Sequence, residues 1–582
     1  MKKIHKLVLS AVAGVALLYS CKDSFLDVPV TGQLNQTILS GRLGLDASLL
    51  AVYSQVNGRS NRMASPSNWV WGSIRGADAN KGTDPGDYST INPVQRYAAL
   101  PTGDVISDKW NGNYEGVARA NATLRLLATA DETVPDDFKK GIEAQAKFLR
   151  AHFYFELTRG YHLVPYVDET IDYGTGIEAV KNDTEIWDKI VADMKFAVDN
   201  LPETQSEVGR VNSWAAKAYL AKIYMTMAGV LKDNTKFTDA KALFDDIIAK
   251  GKTSNGKKYA LVASFPDLFK ASNDNNEESI WAYQSAAGTG SVNNANPEFD
   301  LNWPYNTGPD GPGNCCSFFQ PTFESANWYR TTPTGLPYLD GSYRTTHQVK
   351  TDMGLEGADP FTPDADPLDP RIDHTIGRRG IPYLDWKDFP GKPWIRNQPN
   401  AGPYETKKFV YYKTDRGTYQ DNSSWTPGYT AINFPIIRFG DVLLMAAEAE
   451  IEVGSLSKAL DYVNMIRARA KNSPLRRSDG TLAANYNIAL YGPFADAADA
   501  RQKVRFERQL ELHSEGHRFY DLVRWGTADT ELNAFIAYEA PKYGLGALND
   551  AHFDKGVDEY LPLPQSQIDL LGADVLKQNP GY

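Results

Sequence analysis

Asp441-Val442-Leu443-Leu444-Met445-Ala446-Ala447-Glu448-Ala449-Glu450-Ile451-Glu452-Val453-Gly454 reads as one helix stopped by a glycine. A second helix follows at once, with apolar residues at three- and four-residue spacing from Leu456 to Ala470. So short a connection folds the two back on each other as a helical hairpin. A protein whose clearest element is a helical hairpin buries its apolar stripes helix against helix.

Outward from that hairpin the same period returns on both sides. Toward the N-terminus, Leu45 to Val56, Trp110 to Leu127 and Ile142 to Tyr161 carry it, the last with Ala144, Phe148, Ala151, Phe155 and Leu157 near one stripe. Thr184 is placed to cap a helix running to Val198, with Pro202 soon after its end. Ser213 to Met227 and Thr238 to Ile248 follow. Toward the C-terminus, helix returns at Phe439, and Asp499 is placed to cap a segment from Ala500 to Arg524, with Gly516 as its break and Gly526 as its stop. Tyr560-Leu561-Pro562-Leu563-Pro564 cannot be central strand. Helix pairs of about thirty-odd residues predict a mainly α fold, a tetratricopeptide-like helical-repeat scaffold.

The middle differs. Between residues 264 and 435, Gly, Pro, Asn, Asp and aromatic residues dominate, as in Asn302-Trp303-Pro304-Tyr305-Asn306 and Gly308-Pro309-Asp310-Gly311-Pro312-Gly313. Such segments form turns rather than interior helix. Their many aromatic residues argue for ordered loops and short strands over disorder. The expected organisation is one domain over 21–582, with a helical scaffold at 21–263 and 436–582 and a loop-rich, ligand-facing insertion at 264–435.

Residues 1–20 read as a signal peptide. A basic start precedes an apolar run from Leu7 to Leu18, which at ~1.5 Å per residue is too short to cross a bilayer. Leu18-Tyr19-Ser20-Cys21 looks like a bacterial lipobox, making Cys21 the lipidation site and tethering the protein to a membrane. A net charge of −11 argues against a nucleic-acid partner and against an electrostatic grip on anionic lipid. The 31 Tyr and 12 Trp suit partly wet binding surfaces, since such rings offer apolar area and a polar edge. Cys315 and Cys316 are neighbours, open to a vicinal disulfide in an oxidising compartment or to a reduced, buried pair.

Catalytic and metal motifs are weak. His513-x-Glu515-x-His517 places two His on one helix face, but its Glu is one position off the H-E-x-x-H arrangement, so no metal is expected. Asp364, Asp366, Asp369 and Asp373 lie among prolines without EF-hand spacing; turn and capping duties compete there with calcium. Arg508, Glu511, Glu515, Arg518, Asp521 and Arg524 mix signs at helical spacing, which favours mutual ion pairs over an anion site. No G-x-S-x-G elbow or phosphate-binding Gly loop is present, and no cofactor is implied.

Several segments together resemble the SusD/RagB family of outer-membrane nutrient-binding lipoproteins. They are Cys21-Lys22-Asp23-Ser24-Phe25-Leu26-Asp27; Trp110-Asn111-x-x-Tyr114 with Ala120-Asn121; Ala144 to Tyr161 with Val164-Pro165-Tyr166-Val167; and Arg438 to Ala449, continuing through Asn464, Arg467, Arg469 and Ala470. The run from Glu507-Arg508 to Arg524-Trp525-Gly526 and the terminal Gln578-Asn579-Pro580-Gly581-Tyr582 complete the set. The resemblance implies a tetratricopeptide-like scaffold with a variable loop face, on the cell-surface side of the outer membrane. It also implies a SusC-like TonB-dependent transporter as partner, capped by this protein, with an oligosaccharide, or in some members a peptide, held between them.

A sugar needs a flat aromatic platform beside hydrogen-bonding groups. Two regions of the family that carry ligand contacts offer such residues here. In the first are Trp69, Trp71, Arg75, Asp78, Asn80 and Tyr88; in the second Trp303, Tyr305, Trp328 and Tyr329. The expected function is glycan capture and delivery to the transporter, without catalysis. A peptide-binding lid of the same fold and a surface glycoside hydrolase with dispersed carboxylates are the alternatives.

Overall fold

In the computed structural model the first half of the protein forms α1 (Arg42–Gln55), α2 (Asp104–Ala128), α3 (Asp136–Tyr161), α4 (Trp187–Asn200), α5 (Ser213–Val230) and α6 (Thr235–Lys250). The last third forms α7 (Phe439–Val453), α8 (Leu456–Lys471), α9 (Ala497–Glu511), α10 (Arg518–Trp525), α11 (Ala528–Glu539) and α12 (Gln565–Leu571). The structure describes residues 39–582 apart from 59–62, 177–179, 292–293, 296–301, 314 and 424–426; the signal-peptide reading and Cys21 lie outside the described residues.

Each early helix packs on the next, from α1 through α6. The series continues across the insertion, because α6 packs on α7, and α7 in turn on α8 and α9. This is the serial stacking of a tetratricopeptide-like scaffold, in which each pair buries its stripe against its neighbours. Small residues allow close approach: a Cβ on Gly229 of α5 would lie 2.1 Å from the Arg524 carbonyl of α10.

Helix boundaries follow local chemistry, not always the expected one. Thr184 does not cap α4, which begins after Ile186 with no hydrogen bond from a capping side group. Asn212 caps α5, its Oδ1 accepting from the Ala215 amide at 2.8 Å. Asp496, not Asp499, caps α9 by accepting from the Asp499 amide at 2.9 Å. The long C-terminal segment is two helices. α9 ends at Glu511 and α10 starts at Arg518, with Gly516 between them at φ 74° and Gly526 ending α10 at φ 70°, the left-handed region glycine favours.

Among the described residues, the middle of the protein has helices of no more than five residues and takes part in three antiparallel two-stranded sheets. β1 (Ala79–Gly82) pairs with β3 (Phe318–Pro321), β2 (Ser279–Tyr283) with β6 (Phe434–Arg438), and β4 (Ile376–Gly377) with β5 (Glu405–Thr406).

A buried ionic network fastens this region to the helices. Arg371, from the loops, meets Glu507 at 2.6 Å and Glu511 at 3.1 Å on α9. Arg438 meets Glu278, Glu511 and Glu515 at 2.7–2.8 Å. Arg508 reaches Asp441 at 2.8 Å and Asp521 at 3.1 Å, and Arg524 reaches Glu448 at 2.8 Å. Removing one partner of such a buried pair typically costs about 3–5 kcal/mol, because the other charge is left unpaired. Arg518 departs from the ion-pair pattern: it lies over the Trp328 ring at 4.5 Å and donates to Gln509 at 2.5 Å. No helix among the described residues is long and apolar enough to cross a membrane.

Candidate functional site

Of the ten expected ligand-contacting residues, the structure places eight inside. Trp69 meets Phe318 and Phe319 edge to face. Trp71 is 1% exposed, and its indole donates to the Met63 carbonyl at 2.7 Å. Arg75 stacks 3.9 Å from the Phe519 ring and donates to the Asp558 carbonyl. Asp78 accepts from the Ser514 amide at 3.2 Å, and burial pushes its carboxyl up to about 7. Asn80 donates to the Ala401 carbonyl at 2.9 Å and to the Tyr543 hydroxyl at 3.2 Å.

In the second region, Trp303 is 1% exposed. A Cβ on Gly428 would lie 1.9 Å from its ring. Trp328 packs edge-on against His513 under the Arg518 guanidinium. Tyr329 is fully buried, with its hydroxyl donating to the Leu510 carbonyl at 3.1 Å. For these eight the expectation of ligand contact is corrected: each is used up by packing or by protein hydrogen bonds. The physical reason is a close backbone approach. The turn at 69–74 docks on the segment between α9 and α10, where a Cβ on Gly72 would lie 1.8 Å from the Gly516 carbonyl.

Tyr88 and Tyr305 remain half-buried at the surface, and Arg396 brings their two loops together. Its guanidinium lies 5.5 Å from the Tyr305 ring. It also meets Asp84 at 2.6 Å and the Thr83 hydroxyl at 3.0 Å, and pairs with Asp87, the neighbour of Tyr88. From below, Lys81 Nζ donates to the Asp84 and Asp87 carbonyls at 2.8 and 2.6 Å, and burial lowers its pKa to about 8. The result is a half-exposed ring beside fixed donors and acceptors.

One indole was missed by sequence reasoning. Trp386 is half-buried, with Arg416 lying 4.5 Å from its ring and its own N–H donating to the Tyr411 carbonyl at 3.3 Å. Beside it Lys387 pairs with Asp310 at 3.3 Å and lies 5.3 Å from the Trp394 ring. Trp394 links both patches, since its carbonyl accepts from the Tyr305 amide at 2.8 Å. The signal was available: Trp386 stands between Asp385 and Lys387, whereas Trp69 and Trp71 flank a valine.

The other motifs are engaged with protein. His513 sits between the Tyr329 hydroxyl at 3.0 Å and the Asp78 carbonyl at 2.9 Å, and burial lowers its pKa to about 3. His517 faces Lys222 at 3.3 Å. Asp364, Asp369 and Asp373 pair with Arg330, Arg371 and Arg378 respectively. Among the described residues no cluster of His, Cys, Asp and Glu is placed to hold a metal ion. Cys315 and Cys316 are joined as a disulfide. Glu539, raised to about 7 by burial, is enclosed by the Phe323 and Glu324 amides and the Tyr543 hydroxyl. Asp274, raised to about 8 by burial, receives the Asn433 amide, and Asp415 adds to the rise.

Residues 277–582 match the model of the SusD family, and residues 60–225 match a second model described as starch-binding associating with outer membrane. A SusD-like protein of Bacteroides ovatus is 24% identical over 555 residues, covering 90% of this protein and 83% of that one. Among solved structures, a laminarin binding SusD-like protein is 24% identical with a TM-score of 0.64, covering 93% of this protein and 99% of its own length. Surface glycan-binding protein A from Bacteroides thetaiotaomicron, in complex with laminarihexaose, gives 19% identity and a TM-score of 0.63, again over 93% and 99% of the two proteins. With the family model matched over more than half its length, the chain belongs to the SusD family.

Proposed function

We propose that this protein is a surface glycan-binding lipoprotein that captures an oligosaccharide and passes it, unaltered, to a TonB-dependent outer-membrane transporter. The observation that carries the reading is the Tyr305–Arg396–Asp84–Asp87 cluster with Tyr88 beside it. A pyranose has an apolar C–H face and a rim of hydroxyls, and this cluster offers a ring face with both hydrogen-bond donors and acceptors at its edge. Trp386, on the same loop segment as Arg396, is a second half-buried ring. Such a site is shallow and wet, so its affinity is modest and release is easy. Support for binding without catalysis comes from Asp78 and Glu539. Both are raised toward neutrality, yet both are buried under protein groups where a polymer has no access. Membership of a family whose fold is also found in glycan-binding proteins favours glycan over peptide.

The test is titration calorimetry of the intact mature protein with laminarihexaose and with starch and xyloglucan oligosaccharides. At least one should bind, and Tyr305→Ala should weaken it about tenfold, as expected for losing an aromatic contact of ~1.4 kcal/mol. The recovered sugar should keep its length after prolonged incubation. Shortened products would overturn the non-catalytic reading, and unchanged affinity in Tyr305→Ala would remove the assigned site.

A further inference from the structure

At the start of the turn at 69–74, three side chains from distant parts of the backbone meet out of reach of water. Asn68 precedes the turn, Lys109 stands on α2 and Glu156 on α3, and none is more than 3% exposed. The Lys109 amine donates to the Asn68 side-chain carbonyl oxygen at 3.1 Å. The Asn68 amide nitrogen donates to Glu156 Oε2 at 3.2 Å, and the same Oε2 lies 3.6 Å from Lys109 Nζ. Tyr520 of α10 closes the group, its hydroxyl donating to the Asn68 Oδ1 at 3.3 Å. A lysine buried only to balance a carboxylate would meet it head-on; here the amide oxygen is the nearer partner.

Each contact serves one requirement of amide exchange. A lysine attacks only without its proton. Burial lowers Lys109 to about 8, and the Arg159 and Arg75 guanidiniums push the same way against the pull of Glu156. A carboxamide yields when its carbonyl is polarised, and the Tyr520 hydroxyl sits on the oxygen where negative charge would develop. Between nucleophile and leaving group a base must carry a proton. Burial works against a charged Glu156, but Arg159 and Lys109 outweigh it and lower the carboxyl to about 2, so it stands ionised.

Distance and room fit as well. Asn68 Cγ is one C=O bond, about 1.23 Å, from Oδ1, so Lys109 Nζ lies within about 4.3 Å of it. A rotation within the Lys109 stem brings the pair to the ~3–3.5 Å of a near-attack arrangement. Gly160 on α3 leaves space for that stem, since a Cβ there would stand 3.2 Å from Lys109 Cε. We propose that Lys109 and Asn68 become joined by an intramolecular isopeptide bond, formed by the folded protein itself with Glu156 as general base. The Nζ lone pair attacks Asn68 Cγ, and the carbonyl electron pair moves onto Oδ1 under the Tyr520 hydroxyl. Glu156 takes a proton from Nζ and hands it to Nδ2. The C=O re-forms as the Cγ–Nδ2 bond breaks, and ammonia leaves, with Glu156 ionised again. The reaction consumes no cofactor, oxidant or reductant, and its product clamps the buried turn to α2.

The test is mass spectrometry of the intact mature protein with its disulfide reduced, before and after trypsin. The folded parent should be lighter than its sequence by one ammonia. Its digest should contain residues 63–75 joined to residues 97–119, with no cleavage after Lys109. Lys109→Met and Asn68→Ala should restore the sequence mass. Glu156→Gln should carry only a small fraction of the joined peptide, since losing a general base slows such a step about a hundredfold or more. Separate 63–75 and 97–109 peptides from a folded parent held for days at about pH 9, above the Lys109 value, would overturn the proposal. So would a Lys109→Met protein that still lacks one ammonia, because Asn68 would then have closed on its own backbone. Equal yield in Glu156→Gln would remove the carboxylate from the chemistry. Should a variant fail to fold, the digest of the parent alone decides.

Discussion

Trp386 and Trp71 show what decides whether a ring meets solvent. Both lie outside the long helices, and both have residues near them able to hydrogen-bond a sugar. Trp71 belongs to a turn that is apolar at Trp69, Val70, Trp71 and Ile74 and whose glycine lets it settle against another backbone, so it ends in the core. Trp386 is held between two charged residues that must stay wet, so its ring stays partly out. That this part of the protein is built of aromatic-rich loops was therefore legible in sequence, but which ring stays exposed was not, because exposure in a loop is fixed by partners far away along the backbone. Asp78 makes the same point for a titrating group. Its folded pKa, raised to about 7 from 3.8 by burial, means the folded state holds a proton that the unfolded state releases near pH 4. The stability linked to that proton is intact below about pH 4 and falls as pH climbs to about 7. Asp78→Asn keeps an acceptor for the Ser514 amide and removes the titration. Urea unfolding at several pH values should show the variant gaining on the parent between pH 4 and 7, with a constant difference outside that window; a difference constant across the whole range would exclude this role for the carboxyl.

Elements were easier to anticipate than their ends. A helix announces itself through a period repeated over three or four turns, so α1 to α8 were all visible in the sequence. Their caps depend on single residues competing within a few positions, as Asp496 and Asp499 do at the head of α9. The division between α9 and α10 rests on Gly516. With φ at 74° and a would-be Cβ 2.0 Å from the Ser67 carbonyl, no other residue fits there without moving backbone. Gly516→Ala should cost roughly 2–4 kcal/mol. Gly141, inside α3, is the contrast: nothing lies within 4 Å of its would-be Cβ. Gly141→Ala should stabilise by about 0.5–1 kcal/mol through helix propensity alone. Chemical denaturation of the two variants reads both signs, and similar shifts for the pair would show that the turn at 512–517 does not depend on its glycine.

At the scale of the whole molecule, charge is buried in quantity, and that sets how the fold meets acid. Glu511 and Asp441 are held far below the usual carboxylate range; burial works against this, but the guanidinium and ammonium groups of Arg469, Arg438 and Arg371, and of Lys222 and Arg508, outweigh it. Glu156 is lowered to about 2, with Arg159 and Lys109 as the leading opposing charges. Folded values below unfolded ones mean that this stability is present above about pH 4.5 and is lost as pH falls further. His152, which is buried, and His374, which is half-buried, are both lowered to about 4 by desolvation and act in the same direction from about pH 6.5 downward. The urea midpoint should therefore fall steeply below pH 4.5; a flat profile down to pH 3 would show that the network does not support the fold. The mixed-sign pattern around Arg508 was readable as ion pairing from its helical spacing, whereas Arg371 and Glu278 join from segments with no period to reveal them.

The two-residue pairing of β4 with β5 has a consequence for how such proteins diversify. The backbone departs from the frame at Gly377 and returns at Glu405, directly opposite. The excursion between them carries Trp386, Trp394 and Arg396, and Tyr383, Phe389 and Trp394 form a small apolar cluster with Trp303 and Val410. A segment tied at its base by so short a pairing is held along the rest of its length by its contacts with other loops, Asn400 with Gly82 and Asp388 with Arg477 among them. Residues can be added to or taken from its far end while the Gly377–Glu405 pairing at its base stays in place.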